Sequence, residues 1–340
     1  MTELISICIP TFNRSLLLTE ALNSIEINTA GRTDVEVVIS DNGSQDNTEA
    51  VVDGFRNRIP NLRYYRNSEN IGPVKNLRKV VEHARGEYVW MLADDDVIVE
   101  GALSILTGFL TQNPDVMYLF YSREVVDYDL NPTPQGKQPH GLQTDLIFSN
   151  GNDLFCACDG QMPYIIGFFS STIIQRQLWM ENVTQVKAVS DSFAWDHLSI
   201  ILRAIREKRC AILSTVGVKA RLNYRPVKAS SKVGFDDSIR FLKDTGKMGY
   251  DLQQINKTMI KVVQSESKSF VVDKAKGLRG DNIFQFMADQ KLLRFARYSS
   301  FWGILSVFPA GLLKQLFRFY SAVKDNKKKS ISSNGQDPIY

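Results

Sequence analysis

Short apolar runs alternate with helical periodicity along the first two thirds of the chain. Leu4 to Ile9 is apolar and empties into Pro10-Thr11-Phe12-Asn13-Arg14, which predicts a strand followed by a polar loop. Leu16 to Ile27 repeats its apolar positions at helical spacing. Val35 to Ser40 predicts a second strand, closing on Asp41-Asn42-Gly43-Ser44, with Asp46 or Asn47 placed to cap a helix. Leu62 to Arg66 is a short third strand, Asn70-Ile71-Gly72-Pro73 a turn, and Val74 to Ala84 a helix. Gly101 to Leu110 is helical again and Val116 to Ser122 another strand. Strands alternating with such helices predict an α/β fold, a mostly parallel sheet flanked by helices, with the loops after its strands gathered along one edge.

The central strand ends unusually. Val89-Trp90-Met91-Leu92 runs through Ala93 into three consecutive carboxylates, Asp94-Asp95-Asp96. That places the acids at a strand's carboxyl end, where open α/β sheets bind ligands. In an extended segment Asp94 and Asp96 share a face. Adjacent carboxylates repel unless solvated or bridged by positive charge, and a hard divalent cation suits oxygen donors. The simpler reading is a solvated acidic turn before the next helix.

Beyond residue 126 the pattern loosens. Residues 127–162 carry Pro132, Pro134, Gly136, Pro139 and Gly141 and predict a loop or insertion. Tyr164 to Ile174 is a second apolar stretch, a strand leading into a helix around Trp179. Phe193 to Arg206 is an amphipathic helix and Cys210 to Ser214 a strand. Past about residue 220 helices dominate, near 235–265 and 280–298, and the tail from Asp325 has a disordered composition. The domain division that follows is 1–220, then a helical region 221–324, then the tail 325–340.

Composition narrows the classes. The 340 residues are 44% hydrophobic and 23% charged, ordinary for a globular chain, and a net charge of +4 gives no case for nucleic acid. Cys8, Cys156, Cys158 and Cys210 form neither a disulfide framework nor a zinc pattern. With no secretory signal and no uncharged apolar run of spanning length, a cytoplasmic location is expected. No Gly-x-Gly-x-x-Gly follows the first strand and no Walker-type loop occurs.

Four segments in order, Ile7-Cys8-Ile9-Pro10-Thr11-Phe12-Asn13-Arg14, Ile39-Ser40-Asp41-Asn42-Gly43-Ser44-Gln45-Asp46, Asn70-Ile71-Gly72 and Asp94-Asp95-Asp96, resemble the successive motifs of family 2 glycosyltransferases. The Ser-Asp-Asn-Gly-Ser variant and the Phe168–Ser171 stretch look most like bacterial O-antigen transferases of the abequosyltransferase type. The resemblance implies the GT-A fold, here with a C-terminal helical extension, and inverting transfer from a nucleotide sugar. It assigns Pro10, Thr11 and Arg14 to the nucleoside, Asp41 to the base, Asn70 and Gly72 to a loop near the nucleotide, and Asp94 and Asp95 to the donor. Asp94 and Asp96 are the implied ligands of Mn2+ or Mg2+ bound to the diphosphate. Asn42 stands where the family has a second acid, which leaves that position's role open. Lys75 and Arg78, one helical turn apart, either reach phosphate or lie in solvent.

Inversion needs a base for the acceptor hydroxyl. The resemblance points to Asp196 in Trp195-Asp196-His197, with His197 orienting it, binding metal or acting as base itself, and with Asp191 as competitor. The alternative is a helix start in which Asp191 or Ser190 caps and Asp196 favours the dipole. Arg221 to Lys228 is a basic loop able to fold over a diphosphate, and the absence of Gln-x-x-Arg-Trp implies one sugar per encounter. Phe301 to Leu313 is uncharged and flanked by basic residues, too short to span a bilayer but suited to an interfacial helix on an anionic leaflet, or else to docking on the catalytic domain. The expected partners are therefore a nucleotide-sugar donor, a CDP- or UDP-sugar, and a lipid-linked saccharide acceptor, with peripheral contact on the inner face of the membrane. The alternative is a non-catalytic nucleotide-sugar-binding assembly protein.

Overall fold

The computed structural model describes residues 3–159, 166–186, 193–221 and 231–275, together with 309, 310 and 313. It divides into two compact units. The first takes in Met1–Val227 and Arg240–Thr258, the second Lys228–Ile239 and Met259–Tyr340, so residues beyond 220 return to the first unit. The sheet and every described candidate residue lie in the first.

Among the described residues ten strands form the sheet: β1 (Ile5–Thr11), β2 (Val35–Asp41), β3 (Leu62–Arg66), β4 (Tyr88–Met91), β5 (Val97–Ile98), β6 (Tyr118–Val126), β7 (Pro132–Gln138), β8 (Leu146–Phe148), β9 (Thr172–Gln175) and β10 (Cys210–Arg221). Their order is β3-β2-β1-β4-β9-β6-β10-β5, with β7 beside β6 and β8 beside β10. Strands β1, β2, β3, β4, β6 and β10 run one way and the others oppose them. The sheet is thus mostly parallel, as the alternation predicts. The antiparallel insertion of β9 between β4 and β6 was not predicted.

Helices α1 (Ser15–Thr29), α3 (Pro73–His83) and α4 (Ala102–Gln112) occupy the predicted places within one or two residues at each end, and α2 (Thr48–Phe55) starts where the expected cap at Asp46 or Asn47 puts it. Ile5, Ile7 and Ile9 point into a core shared with Leu18, Leu22 and Ile25 of α1 and Leu103 and Leu106 of α4. Cys8, on the opposite face, meets Val80 of α3. Covering both faces is what makes β1 and β2 read as continuous apolar runs. Residues 127–162, expected to be irregular, contribute β7, β8 and the helix α5 (Gly151–Ala157). Then come α6 (Arg176–Val183), α7 (Phe193–Ile205), α8 (Ser231–Lys247) and α9 (Leu252–Ala275). The four cysteines are free.

Asp191, the loop after Arg221, the predicted helix at 280–298 and the tail lie outside the described residues. So does the apolar segment 301–313 apart from Pro309, Ala310 and Leu313. Among the described residues no helix is long and apolar enough to cross a membrane.

Candidate functional site

Because β1, β2 and β4 are parallel, the loops that follow them open on the same edge. The Thr11 hydroxyl donates to Asp94 Oδ2 at 2.7 Å, and Asn42 N–H donates to the Thr11 carbonyl at 2.9 Å. β10 runs with these strands and ends at this edge, while β9 runs against them and starts there. Arg221 and Ser170 therefore arrive beside the acidic turn from far along the chain. A cavity of about 570 Å³ lies here. Pro10, Thr11, Phe12 and Arg14 line it, with Asn42, Asn70, Pro73, Asn76 and Ala93. Asp94, Asp95 and Phe169 complete it.

The three acids do not point as an extended strand predicts. β4 stops at Met91, and the chain turns, with Asp96 N–H donating to the Ala93 carbonyl at 3.3 Å. The alternation of side chains has no hold on a turn, so Asp94 and Asp96 do not share a face. Instead Asp94 and Asp95 meet the same guanidinium nitrogen, Arg14 Nη1, at 2.9 and 3.1 Å. Asp96 turns inward, where its Oδ2 accepts from the Ser170 hydroxyl at 2.5 Å and its Oδ1 from Arg221 N–H at 2.8 Å.

Burial pushes the Asp94 carboxyl up to about 6, against the pull of Arg14. Burial and the neighbouring charge of Asp95 push Asp96 up to about 7. Arg14 is held more firmly protonated by Asp94 and Asp95, although burial works against it. Among the described residues no group of three His, Cys, Asp or Glu side chains is arranged to hold a metal by itself. Two hard oxygen donors on an open cavity nonetheless fit Mg2+ or Mn2+, which takes one or two carboxylates and completes its shell with phosphate and water.

The carboxamides that line the cavity have fixed directions. Asn42 Oδ1 accepts from Ile71 N–H at 3.0 Å and Asn70 Oδ1 from Gly72 N–H at 2.9 Å. Because backbone N–H groups can only donate, the amide orientations follow. Asn42 Nδ2 then donates to Asn70 Oδ1 at 2.8 Å, and Lys79 donates to Asn67, which donates in turn to Asn76 and Asn42. Gly72 has φ +86, a backbone open mainly to glycine. Asp41 is not among the lining residues. Its side chain is 0% exposed, accepting from Ser44 N–H at 2.8 Å and Tyr64 O–H at 2.6 Å, so it braces the loop where base contact was expected. Burial and Asp41 hold the Tyr64 phenol protonated.

The expected base also has another partner. Asp196, on the first turn of α7, takes a two-pronged ion pair from Arg78 of α3. Arg78 also donates to the Val183 and Val186 carbonyls, so it is neither solvated nor turned to phosphate. Both carboxylate oxygens of Asp196 are thus engaged by the guanidinium. His197 Nε2 lies 3.0 Å from the Gly167 carbonyl, which fixes the proton on that nitrogen, and the ring meets Phe169 edge-on. Phe169 lines the cavity, so His197 abuts it from behind.

Arg221 was expected to open a basic loop able to fold over a diphosphate. Its side chain is 3% exposed, and it donates to the Asp95 carbonyl at 2.5 Å and the Tyr128 carbonyl at 2.9 Å and pairs with Glu20. Sequence reasoning missed Ser170, Tyr64, Asn67 and Asn76 as parts of the site. Only Phe168–Ser171 carried a signal, and that was through resemblance. A second cavity of about 660 Å³, lined by Arg203, Arg206, Lys208 and Lys247 with Glu207 and Asp244, holds none of the motif residues.

Residues 6–171 match the family described as Glycosyl transferase family 2. The chain is 32% identical over 218 residues to abequosyltransferase RfbV of Salmonella typhimurium, covering 62% of this chain and 63% of that protein. It is 37% identical over 103 residues to the GalNAc(5)-diNAcBac-PP-undecaprenol beta-1,3-glucosyltransferase of Campylobacter jejuni, covering 30% of this chain and 33% of that one. The matches therefore span less than two thirds of either relative. In fold the chain is similar to S. aureus TarS 1-349 in complex with UDP-GlcNAc, at a TM-score of 0.60 and 18% identity, covering 87% of this chain and 81% of that one.

Proposed function

We propose, from the match of residues 6–171 to glycosyl transferase family 2, that the protein is an inverting glycosyltransferase. It moves a single sugar from a nucleoside-diphosphate donor, a CDP- or UDP-sugar, to a lipid-linked saccharide during O-antigen or related surface-polysaccharide synthesis. The observation that carries this reading is the pairing of Asp94 and Asp95 around Arg14 on a cavity also lined by the carboxamides of Asn42, Asn70 and Asn76. The acids and Arg14 offer charge for a metal-bound diphosphate, and the carboxamides offer neutral hydrogen-bonding groups for a nucleoside. The relatives' names support the acceptor class, since one acts on a diphosphate-linked undecaprenol saccharide.

Roles follow from placement. Asp94 and Asp95 would hold Mg2+ or Mn2+, which supplies Lewis-acid stabilisation of the charge left on the departing nucleoside diphosphate. Arg14 organises the two carboxylates, and Thr11 orients Asp94. Asn42, Asn70 and Asn76 face the nucleoside, with Gly72 allowing the backbone close. Asp41 braces the loop beneath them. Proton acceptance falls to Asp191, the other acid near the start of α7, because Asp196 is committed to Arg78. The basic-flanked segment 299–340 provides peripheral membrane contact on the cytoplasmic side, and its removal is expected to release the protein from anionic vesicles.

The test is a calorimetric titration of CDP and UDP, each with and without Mn2+, into wild type and Asp95→Ala. Metal-dependent binding of one nucleotide, lost in the variant, is the expected result. Tight binding indifferent to both metal and Asp95 would sink the reading.

A further inference from the structure

We propose that Ser170, Asp96 and Arg221 form a positioning hub that aims the carboxylates of Asp94 and Asp95 into the cavity, with Asp96 itself giving no ligand to the cation. The proposal rests on the metal-diphosphate reading of that cavity.

One hydroxyl clips both ends of the acidic turn. Ser170 Oγ accepts from Ala93 N–H at 2.9 Å and donates to Asp96 Oδ2 at 2.5 Å. Ser170 is itself pinned, its carbonyl accepting from the Trp90 indole at 2.9 Å, and both residues are 0% exposed. The other oxygen of Asp96 takes the backbone N–H of Arg221, 125 residues away. The Arg221 guanidinium grips the Asp95 carbonyl, the Tyr128 carbonyl and Glu20 of α1. Asp95 is thus held by its peptide oxygen and Asp96 by its carboxylate. The turn has no freedom to roll the third acid outward. Asp96 is 2% exposed and absent from the cavity wall, whereas Asp94 and Asp95 line it.

Supports behind metal ligands fix their orientation, and losing one costs about 10–100-fold in metal affinity. A hub of this kind predicts a particular asymmetry. Asp96→Asn keeps an oxygen for Arg221 N–H and can donate an N–H to the second lone pair of Ser170 Oγ, reversing that bond at the cost of the serine's own acceptor, so the turn stays tied at both oxygens' positions. Alanine at 96 keeps neither.

Binding of Mn2+ in the presence of CDP, UDP or GDP is measured by electron paramagnetic resonance on the full chain, alongside each variant's unfolding midpoint. Asp95→Asn is expected to abolish Mn2+ binding. Asp96→Ala, Ser170→Ala and Arg221→Ala weaken it about 10–100-fold, and Asp96→Asn restores it to within about tenfold of wild type. If Asp96→Asn is as damaging as Asp95→Asn, Asp96 is a ligand and the hub is wrong. If Asp96→Ala and Ser170→Ala lower the midpoint but bind Mn2+ like wild type, the cluster is structural only, and the proposal also falls. Should an alanine variant fail to fold, the two asparagine variants decide alone. A wild type that binds no Mn2+ with any of the three nucleotides overturns the metal reading itself and the hub's role with it.

Discussion

Arg78 and Asp196 stand 118 residues apart in the chain and meet as a two-pronged ion pair, Nε to Oδ2 at 3.0 Å and Nη2 to Oδ1 at 2.6 Å. The pair ties α3 to the first turn of α7. Asp196 is 1% exposed and Arg78 21%. Removing the arginine leaves a buried charge with no counter-ion, which typically costs about 3–5 kcal/mol. Arg78→Ala is therefore expected to lower the denaturant midpoint sharply. Urea unfolding that shows a loss below about 1 kcal/mol would mean the pair is solvated and the anchoring reading is wrong.

The base assignment separates two acids. Asp191→Asn is expected to lower kcat by about 10²–10⁴-fold, the usual worth of a general base, with the donor KM unchanged. Asp196→Asn loses the ion pair and one of its two hydrogen bonds, setting an amide N–H against a guanidinium N–H, and its first effect is on stability. Steady-state kinetics with the donor that binds, set beside unfolding curves, distinguishes them. A collapse of kcat in Asp196→Asn with unaltered stability, and an active Asp191→Asn, would return the role to Asp196.

The acidic turn carries a pH signature. Burial places Asp94 near 6 and Asp96 near 7 in the folded chain, above the ordinary value of 3.8. The folded state then holds more protons than the unfolded state across that interval, so these groups lower stability as pH rises from about 4 to about 7. A cation competes with those protons and relieves the repulsion. Mn2+ should raise the melting temperature more at pH 8 than at pH 5. Thermal melts at the two pH values check this, and equal shifts would count against cation binding at this turn.

Gly72 offers a purely backbone test. A Cβ there would meet nothing within 4 Å, yet φ is +86 with ψ 155. Any loss in Gly72→Ala therefore comes from strain, about 1–3 kcal/mol for a side chain forced into that region. Calorimetric melting should show it, together with weaker nucleotide binding, because Gly72 N–H fixes Asn70. A neutral substitution would show that the loop relaxes freely.

Much of the frame was legible in advance. The first four helices and five of the strands fell close to their predicted places because both kinds of element declare a local period. Parallel strands bury both faces, so β1 and β2 read as unbroken apolar runs, and their polar ends had to gather on one edge. The hydrogen bond from Thr11 to Asp94 is that inference made physical. The strand expected over Tyr164 to Ile174 is realised as β9 at its end, and its direction escaped because four residues between two covered neighbours carry too short a pattern to reveal it.

What the residue order determined by itself, then, was the α/β alternation, the edge on which the loops after β1, β2 and β4 meet, and the cavity-lining membership of Pro10, Thr11, Arg14, Asn70, Asp94 and Asp95. The first two follow from periodicities a few residues long, and the third was implied by the resemblance of the motifs in which those residues stand. Only the tertiary structure decided which acids face the cavity, that Asp41 is sealed under Tyr64, that Asp196 belongs to Arg78, and that Ser170 and Arg221 brace the acidic turn. Each of those facts is a contact between partners 23 to 126 residues apart. Such contacts are set by sheet order and strand direction, and by the point at which β4 stops being a strand. No local pattern encodes them.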